Sequence, residues 1–222
     1  IRDFCLSRGL GDVYKRQLFI RHAQTEWNIQ RRFQGHGDSP ITEEGQEQLQ
    51  RLKSRLVGLE FDVVYSSDLR RTMETSQMLS GKRRVEEPRL RERGVGILEG
   101  LNLEQIMAEH AEAFRAFRSG DKDYQLEGGD TLQNALNRAW TFLEEMPEKH
   151  PGAELAAVSH AGLIRLICKQ ILGLALDAPN FFQIPNTSLT QLVFSPKDRS
   201  WSLEYLADTT HLQPVVDPLV VI

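Results

Sequence analysis

The chain has 222 residues, 40% hydrophobic and 26% charged, which suits one soluble globular domain with a full core. A formal net charge of −4 argues against a general nucleic-acid binder, while leaving room for a local basic pocket. Two cysteines, Cys5 and Cys168, are too few and too far apart for a disulfide framework or a zinc site, and no apolar run reaches the roughly 18 residues of a membrane span; a cytoplasmic setting is the default expectation.

Residues 1–16 have no clear periodicity, and Arg2, Asp3, Arg8 and Asp12 interrupt any signal-peptide core. The stretch reads as a non-native or disordered N-terminal segment, from which at most Val13 and Tyr14 extend the first strand. A single domain is expected over 17–212, followed by a tail at 213–222 with no assignable element.

The first strand is Gln17–Arg21, where an apolar run ends abruptly in Arg21-His22. A loop over 23–41, with Gly35, Gly37 and Pro40, closes on Thr42, an N-cap followed by acidic residues. Leu49, Leu52, Leu56 and Leu59 then mark one apolar helix face. Phe61–Ser67 is a second strand, and Asp68 is placed to cap a helix over Leu69–Leu79. A short third strand is expected at Arg84–Glu86. Asn102–Phe117 reads as one helix, with Ile106, His110, Ala113 and Phe117 roughly aligned. Gly120–Gly129 reads as a polar flap. Asp130–Glu145 is helical, with Leu132, Leu136, Ala139 and Leu143 inward. Glu154–Ser159 is the fourth strand, backed by an apolar helix over Ala161–Leu172. Ser188–Phe194 and Trp201–Leu206 flank a hairpin turn that could pair with a second copy in a homodimer, or be blunted by Lys197, Asp198 and Arg199. This alternation predicts an α/β protein, a three-layer α/β/α sandwich around a mostly parallel sheet with an antiparallel edge strand.

Chemistry gathers at the strand ends. In a parallel sheet, Arg21, His22, Arg70 and His160 converge on one edge, where two guanidiniums, two imidazoles and helix N-termini suit a dianionic phosphate. Taken singly, a strand-end histidine is more often structural and an arginine early in a helix is more often a solvated charge. Together, after matching strand ends, they favour a site. Arg71 reads as a surface or supporting charge, Trp27 as a packing residue, and His36 as either a substrate contact or an exposed loop histidine.

The run Arg21-His22-Ala23-Gln24-Thr25-Glu26-Trp27-Asn28 resembles the signature of the histidine phosphatase superfamily, the phosphoglycerate mutase-like proteins. Further resemblances follow in order: Phe33-Gln34-Gly35 through Gly45, Tyr65–Thr72, Leu90-Arg91-Glu92 and Val158-Ser159-His160-Ala161-Gly162. Together they span about Leu18 to His211. The resemblance implies a phosphohistidine on His22, with Arg21, Arg70 and His160 stabilising the transferring phosphoryl group and Glu92 as proton donor. Asn28, Gln34, Gly35 and Ala161 would contact phosphate or substrate. It implies no metal and no cofactor, and the partner is a small phosphorylated metabolite. Departures are Ala23 where the family often has Gly, Gly128-Gly129-Asp130-Thr131 for Gly-Gly-Glu-Ser, and Val95 where mutases resemble Tyr. The last departure, with the compact middle, favours a phosphomonoesterase over a cofactor-dependent phosphoglycerate mutase. A non-catalytic phospho-ligand module is the remaining alternative, disfavoured because binding alone needs no acid at Glu92. Lys122 and Arg118 could take a carboxylate or second phosphate, or be solvated charges.

Overall fold

The computed structural model describes residues 15–213. Val13, Tyr14, Cys5 and all but the first residue of the expected tail lie outside them. The strands are β1 (Lys15–Arg21), β2 (Phe61–Ser66), β3 (Gly81–Glu86), β4 (Leu155–Ser159), β5 (Leu189–Ser195) and β6 (Ser200–Asp208), in the order β3-β2-β4-β1-β5-β6. The first four in that order run parallel, while β5 is antiparallel to both β1 and β6. The helices are α1 (Glu26–Ile29), α2 (Glu43–Arg55), α3 (Arg70–Ser76), α4 (Leu103–Glu109), α5 (Ala111–Arg118), α6 (Leu132–Lys149) and α7 (Ala161–Ile171).

Because side chains alternate along a strand, the two faces of the sheet bury different residues. Phe19, Tyr65 and Ala157 pack with α6 and α7 through Leu136, Phe142 and Ile164. Leu18, Ile20, Val64 and Val158 pack against Leu52 of α2 and Leu56, its C-cap residue. Every residue of β4 is buried, as expected for a central strand covered on both sides. This is the expected three-layer sandwich, with its antiparallel edge.

Several boundaries differ from expectation. Strand β1 already includes Lys15 and Arg16, paired with Phe194 and Val193, so the N-terminal segment contributes two described residues of strand before Gln17. Ladder pairing uses main-chain groups, which is why an apolar pattern does not mark that start. Strand β3 starts at Gly81; it is a sheet edge and largely exposed, so it too lacks an apolar signal. The expected single helix at 102–117 breaks at His110, whose φ of −136° separates α4 from α5. The break lets Ile106 and Phe114 both join a third apolar group with Val95, Leu98 and Leu126. Asp68 does not cap α3; its carboxylate takes both Arg91 Nε (2.6 Å) and Nη2 (2.5 Å) instead. The caps of α2 and α6 are conventional: Thr42 Oγ1 accepts from Gly45 N at 3.0 Å and Thr131 Oγ1 from Asn134 N at 2.9 Å. Among the described residues, no helix is long and apolar enough to cross a membrane.

Candidate active site

Parallel pairing of Arg21 with Ser159 in β1 and β4 brings the residues after them level, so His22 and His160 meet at the carboxyl edge of the sheet. Their ring centroids are 5.3 Å apart, and both are buried. His22 N donates to Ser159 O (3.0 Å), and His22 Nδ1 lies 2.7 Å from the Ala23 carbonyl. A carbonyl can only accept, so Nδ1 carries the proton and Nε2 keeps its lone pair. His160 Nε2 is 3.0 Å from Ser67 Oγ, while its Nδ1 is buried with no partner among the described residues.

Two guanidiniums border the histidines. Arg21 donates Nη1 to Ile184 O (2.7 Å). Arg71 donates Nη1 to Gly37 O (2.6 Å) and Asp38 Oδ1 (3.0 Å), and Nη2 to Gly35 O (2.9 Å). In each the Nε is buried without a partner among the described residues. Burial, then the charges of Arg71 and Arg21, push the His22 pKa well below its ordinary value; burial and Arg71 lead the same shift at His160. Both rings are therefore neutral near pH 7. Burial lowers Arg21 to about 10, so it stays cationic there.

Glu92 is held from two sides: Oε1 accepts from Arg93 N and Oε2 from Gly162 N, both at 2.9 Å. A Cβ on Gly162 would come within 3.0 Å of this carboxylate, so a larger residue there would push Glu92 out of its place. From α6, Arg138 donates to the carbonyls of Arg89, Arg91 and Glu92 and fixes the segment that carries the acid. Asn28 Oδ1 is occupied by Thr25 N (3.1 Å) and Asn186 Nδ2 (3.2 Å), which leaves its NH2 for a ligand. These groups surround a cavity of about 800 Å³. Cationic donors, a neutral imidazole with a free nitrogen and a carboxyl group make a setting for an oxyanion under nucleophilic attack.

Residues 17–209 match the histidine phosphatase superfamily (branch 1). This chain belongs to that superfamily. It is 33% identical over 206 residues to phosphoglycerate mutase-like protein 4 of Arabidopsis thaliana, a match covering 90% of this chain and 88% of the relative. Among solved structures it resembles Bacillus stearothermophilus YhfR, with a TM-score of 0.81, 26% identity, and coverage of 90% and 100% of the two chains. It also resembles a mycobacterial glucosyl-3-phosphoglycerate phosphatase, with a TM-score of 0.74, 27% identity, and coverage of 88% and 100%.

Of the superfamily positions expected from sequence, Arg21, His22, Asn28, Gln34, Gly35, Glu92 and Ala161 line the cavity, and His160 packs against His22. Arg70 does not. Its side chain is 69% exposed and pairs with Glu74 at 2.6 Å, while the neighbouring Arg71, 1% exposed, lines the cavity. Helix α3 starts at Arg70 and buries Arg71, Thr72, Thr75 and Ser76, which turns Arg70 and Glu74 outward. That inward face has no apolar residue, so hydrophobic periodicity could not reveal it. The Arg70–Glu74 spacing of a surface ion pair was the available clue.

His36 is not a free loop residue: its Nε2 is 2.9 Å from Glu92 O. Trp27 packs over Gly37 and Gly100, as a packing residue should. Ala23 is absent from the positive-φ residues, which is why it can stand where glycine is common. Asp130 accepts from Gly94 N at 3.0 Å and Thr131 caps α6, so both the acid and the hydroxyl are in use here. Lys122 is paired with Asp123 and does not line the cavity, whereas Arg118 does. Sequence reasoning also passed over Asn186, Thr187 and Arg165. Asn186 Nδ2 and Thr187 N donate to the His22 carbonyl, and Thr187 adopts a φ of 53° to do so.

Proposed function

We propose that this chain hydrolyses the phosphomonoester of a small metabolite through a phosphohistidine on His22. The observation that carries this reading is the 2.7 Å contact of His22 Nδ1 with the Ala23 carbonyl, which leaves Nε2 as an unprotonated nucleophile between two arginines. Nε2 attacks phosphorus in line as the ester P–O bond breaks. Arg21, Arg71 and His160 hold the phosphoryl oxygens, and Glu92 is the group placed to pass a proton to the departing alkoxide. The same carboxylate then takes a proton from the water that cleaves the P–N bond, releasing phosphate and restoring His22.

A second reading is phosphoryl transfer back to substrate, favoured by the name of the Arabidopsis relative. It shares the first half-reaction and differs in the acceptor. Buried Val95, standing where mutases resemble Tyr, supports water as the acceptor.

Incubation of the protein with a labelled phosphomonoester should give an acid-labile, base-stable phosphoenzyme that is absent from His22→Ala, with release of free phosphate in the wild type. Turnover without any phosphoenzyme on rapid quench would sink the nucleophile; isomerised ester without free phosphate would favour the mutase. Glu92→Gln should slow turnover by roughly 10²–10³-fold with a much smaller effect on phosphate binding.

A further inference from the structure

We propose that Asn186 is a positioning residue for phosphoryl transfer: its amide bridges the main chain of His22 and the side chain of Asn28, and so decides which end of the Asn28 amide meets the phosphoryl group. The inference rests on the hydrolase reading and deepens it, adding a residue that lies outside the cavity lining.

The two ends of the Asn28 amide have opposite tasks. As the third residue of α1, Asn28 closes a capping box, and its Oδ1 accepts from Thr25 N (3.1 Å) and Thr25 Oγ1 (3.2 Å). A main-chain N–H can only donate, so the atom facing it is the oxygen, and the NH2 is the end left for the cavity that Asn28 lines. Phosphoryl oxygens are acceptors. Turned the other way, the same amide would set an oxygen lone pair against an anion.

Asn186 holds that choice from the far side. Its Nδ2 donates to His22 O at 2.9 Å and to Asn28 Oδ1 at 3.2 Å, which uses both of its N–H bonds. The first contact fixes the assignment, because a main-chain carbonyl only accepts and the nitrogen of Asn186 must be the end that faces it. A flip of Asn28 would set two NH2 groups against each other and also lose Thr25 N. Gln34 Nε2 donates to Thr25 Oγ1, so Gln34, Thr25, Asn28 and Asn186 form one line of contacts from the cavity wall to the nucleophile's main chain.

Satisfying the His22 carbonyl does not by itself call for Asn186. Thr187 N already reaches Arg21 O (3.1 Å) and His22 O (3.3 Å), and buried Thr187 holds a φ of 53° in doing so. Backbone of this kind persists where its surroundings over-determine it. That turn sets a main-chain N–H and a side-chain amide against residues 21, 22 and 28 together.

The test is a double-substitution cycle. Asn186→Asp keeps the shape but replaces the NH2 with an oxygen that repels both His22 O and Asn28 Oδ1, and Asn28 answers by turning its oxygen to the phosphoryl side. Binding of orthovanadate, a mimic of five-coordinate phosphorus, should weaken by about tenfold or more. In an Asn28→Ala background the same substitution should cost about threefold at most, because Thr187 N still holds the His22 carbonyl and no amide remains to turn. Asn186→Ala, which deletes the bridge without adding repulsion, should fall between wild type and Asn186→Asp and likewise lose its effect without Asn28. A merely structural loss would lower affinity alike in both backgrounds; that result, or no loss in either variant, would overturn the proposal. Vanadate binding needs no turnover. A coupled cycle in a chain that hydrolyses no phosphomonoester would therefore defeat the hydrolase reading and leave Asn186 in its role, while hydrolysis with an uncoupled cycle would do the reverse.

Discussion

In a Ser–His–Asp triad a carboxylate fixes the histidine tautomer; at His22 a neutral main-chain carbonyl, that of Ala23, does so at 2.7 Å. Among the described residues no carboxylate pairs with the ring, and Arg21 and Arg71 oppose an imidazolium there, which agrees with the depressed pKa. The arginine pair at 70–71 shows how far one residue matters. Arg71→Gln removes a guanidinium that lines the cavity and also ties down the carbonyls of Gly35 and Gly37. Steady-state kinetics should show a fall in kcat/KM of roughly 10²-fold or more. Arg70→Gln removes one exposed i,i+4 pair and should stay within about threefold of wild type. The opposite ranking would return Arg70 to the site. The Arg-Arg dipeptide announces a cation for the pocket, but choosing between its members needs the helix phase, and α3 turns an inward face of hydroxyls that periodicity does not register.

Among elements, α6 reaches the site without contributing a reacting group. Its 18 residues bury Leu136, Ala139, Phe142 and Leu143 against the sheet, and Arg138 on the same helix braces the Glu92 segment. Thr131→Ala deletes the hydroxyl that caps its first turn, and chemical denaturation should show a loss of about 1 kcal/mol. A loss of activity far exceeding that loss of stability would mean that Thr131 acts on the site itself. The apolar faces of α2, α6 and α7 are strong in sequence because each covers a sheet. The break at His110 is weak in sequence, because both halves keep an apolar stripe and only packing against Leu98 and Leu126 shows that they point differently. Edge strand β3 and the start of β1 are weak for a related reason: pairing through the main chain leaves no mark on side-chain hydropathy.

Over the whole molecule, the buried histidines tie stability to pH. The folded-state pKa values of His22 and His160 lie below the ordinary 6.5, so as pH falls through 6.5 the unfolded chain takes up protons first. Their contribution is complete above pH 6.5 and is lost below it, at up to about 1.4 kcal/mol per pH unit for each ring. His150 and His211, also lowered by burial, act with the same sign. Urea midpoints should decline from about pH 6.5 downward, and less steeply in His160→Gln. A flat profile between pH 7.5 and 5.5 would contradict the neutral burial of both rings. Cys168 plays no part in this range: burial pushes its thiol up to about 12.

What the sequence by itself determined was the layered α/β architecture, the superfamily resemblance and most of the expected residues that come to line the cavity, because apolar strands ending in Arg21-His22 and in His160 are local patterns. The level register of β1 with β4 converts those patterns into a shared edge. Tertiary structure alone decided that Arg71 rather than Arg70 faces the cavity, that Gly162 and Arg138 hold Glu92 in place, and that the buried Nε of Arg165 has no partner among the described residues. These outcomes depend on which way a charged side chain turns and what lies opposite it. A charge has no periodic signature of its own, so its partner is known only once distant segments have met.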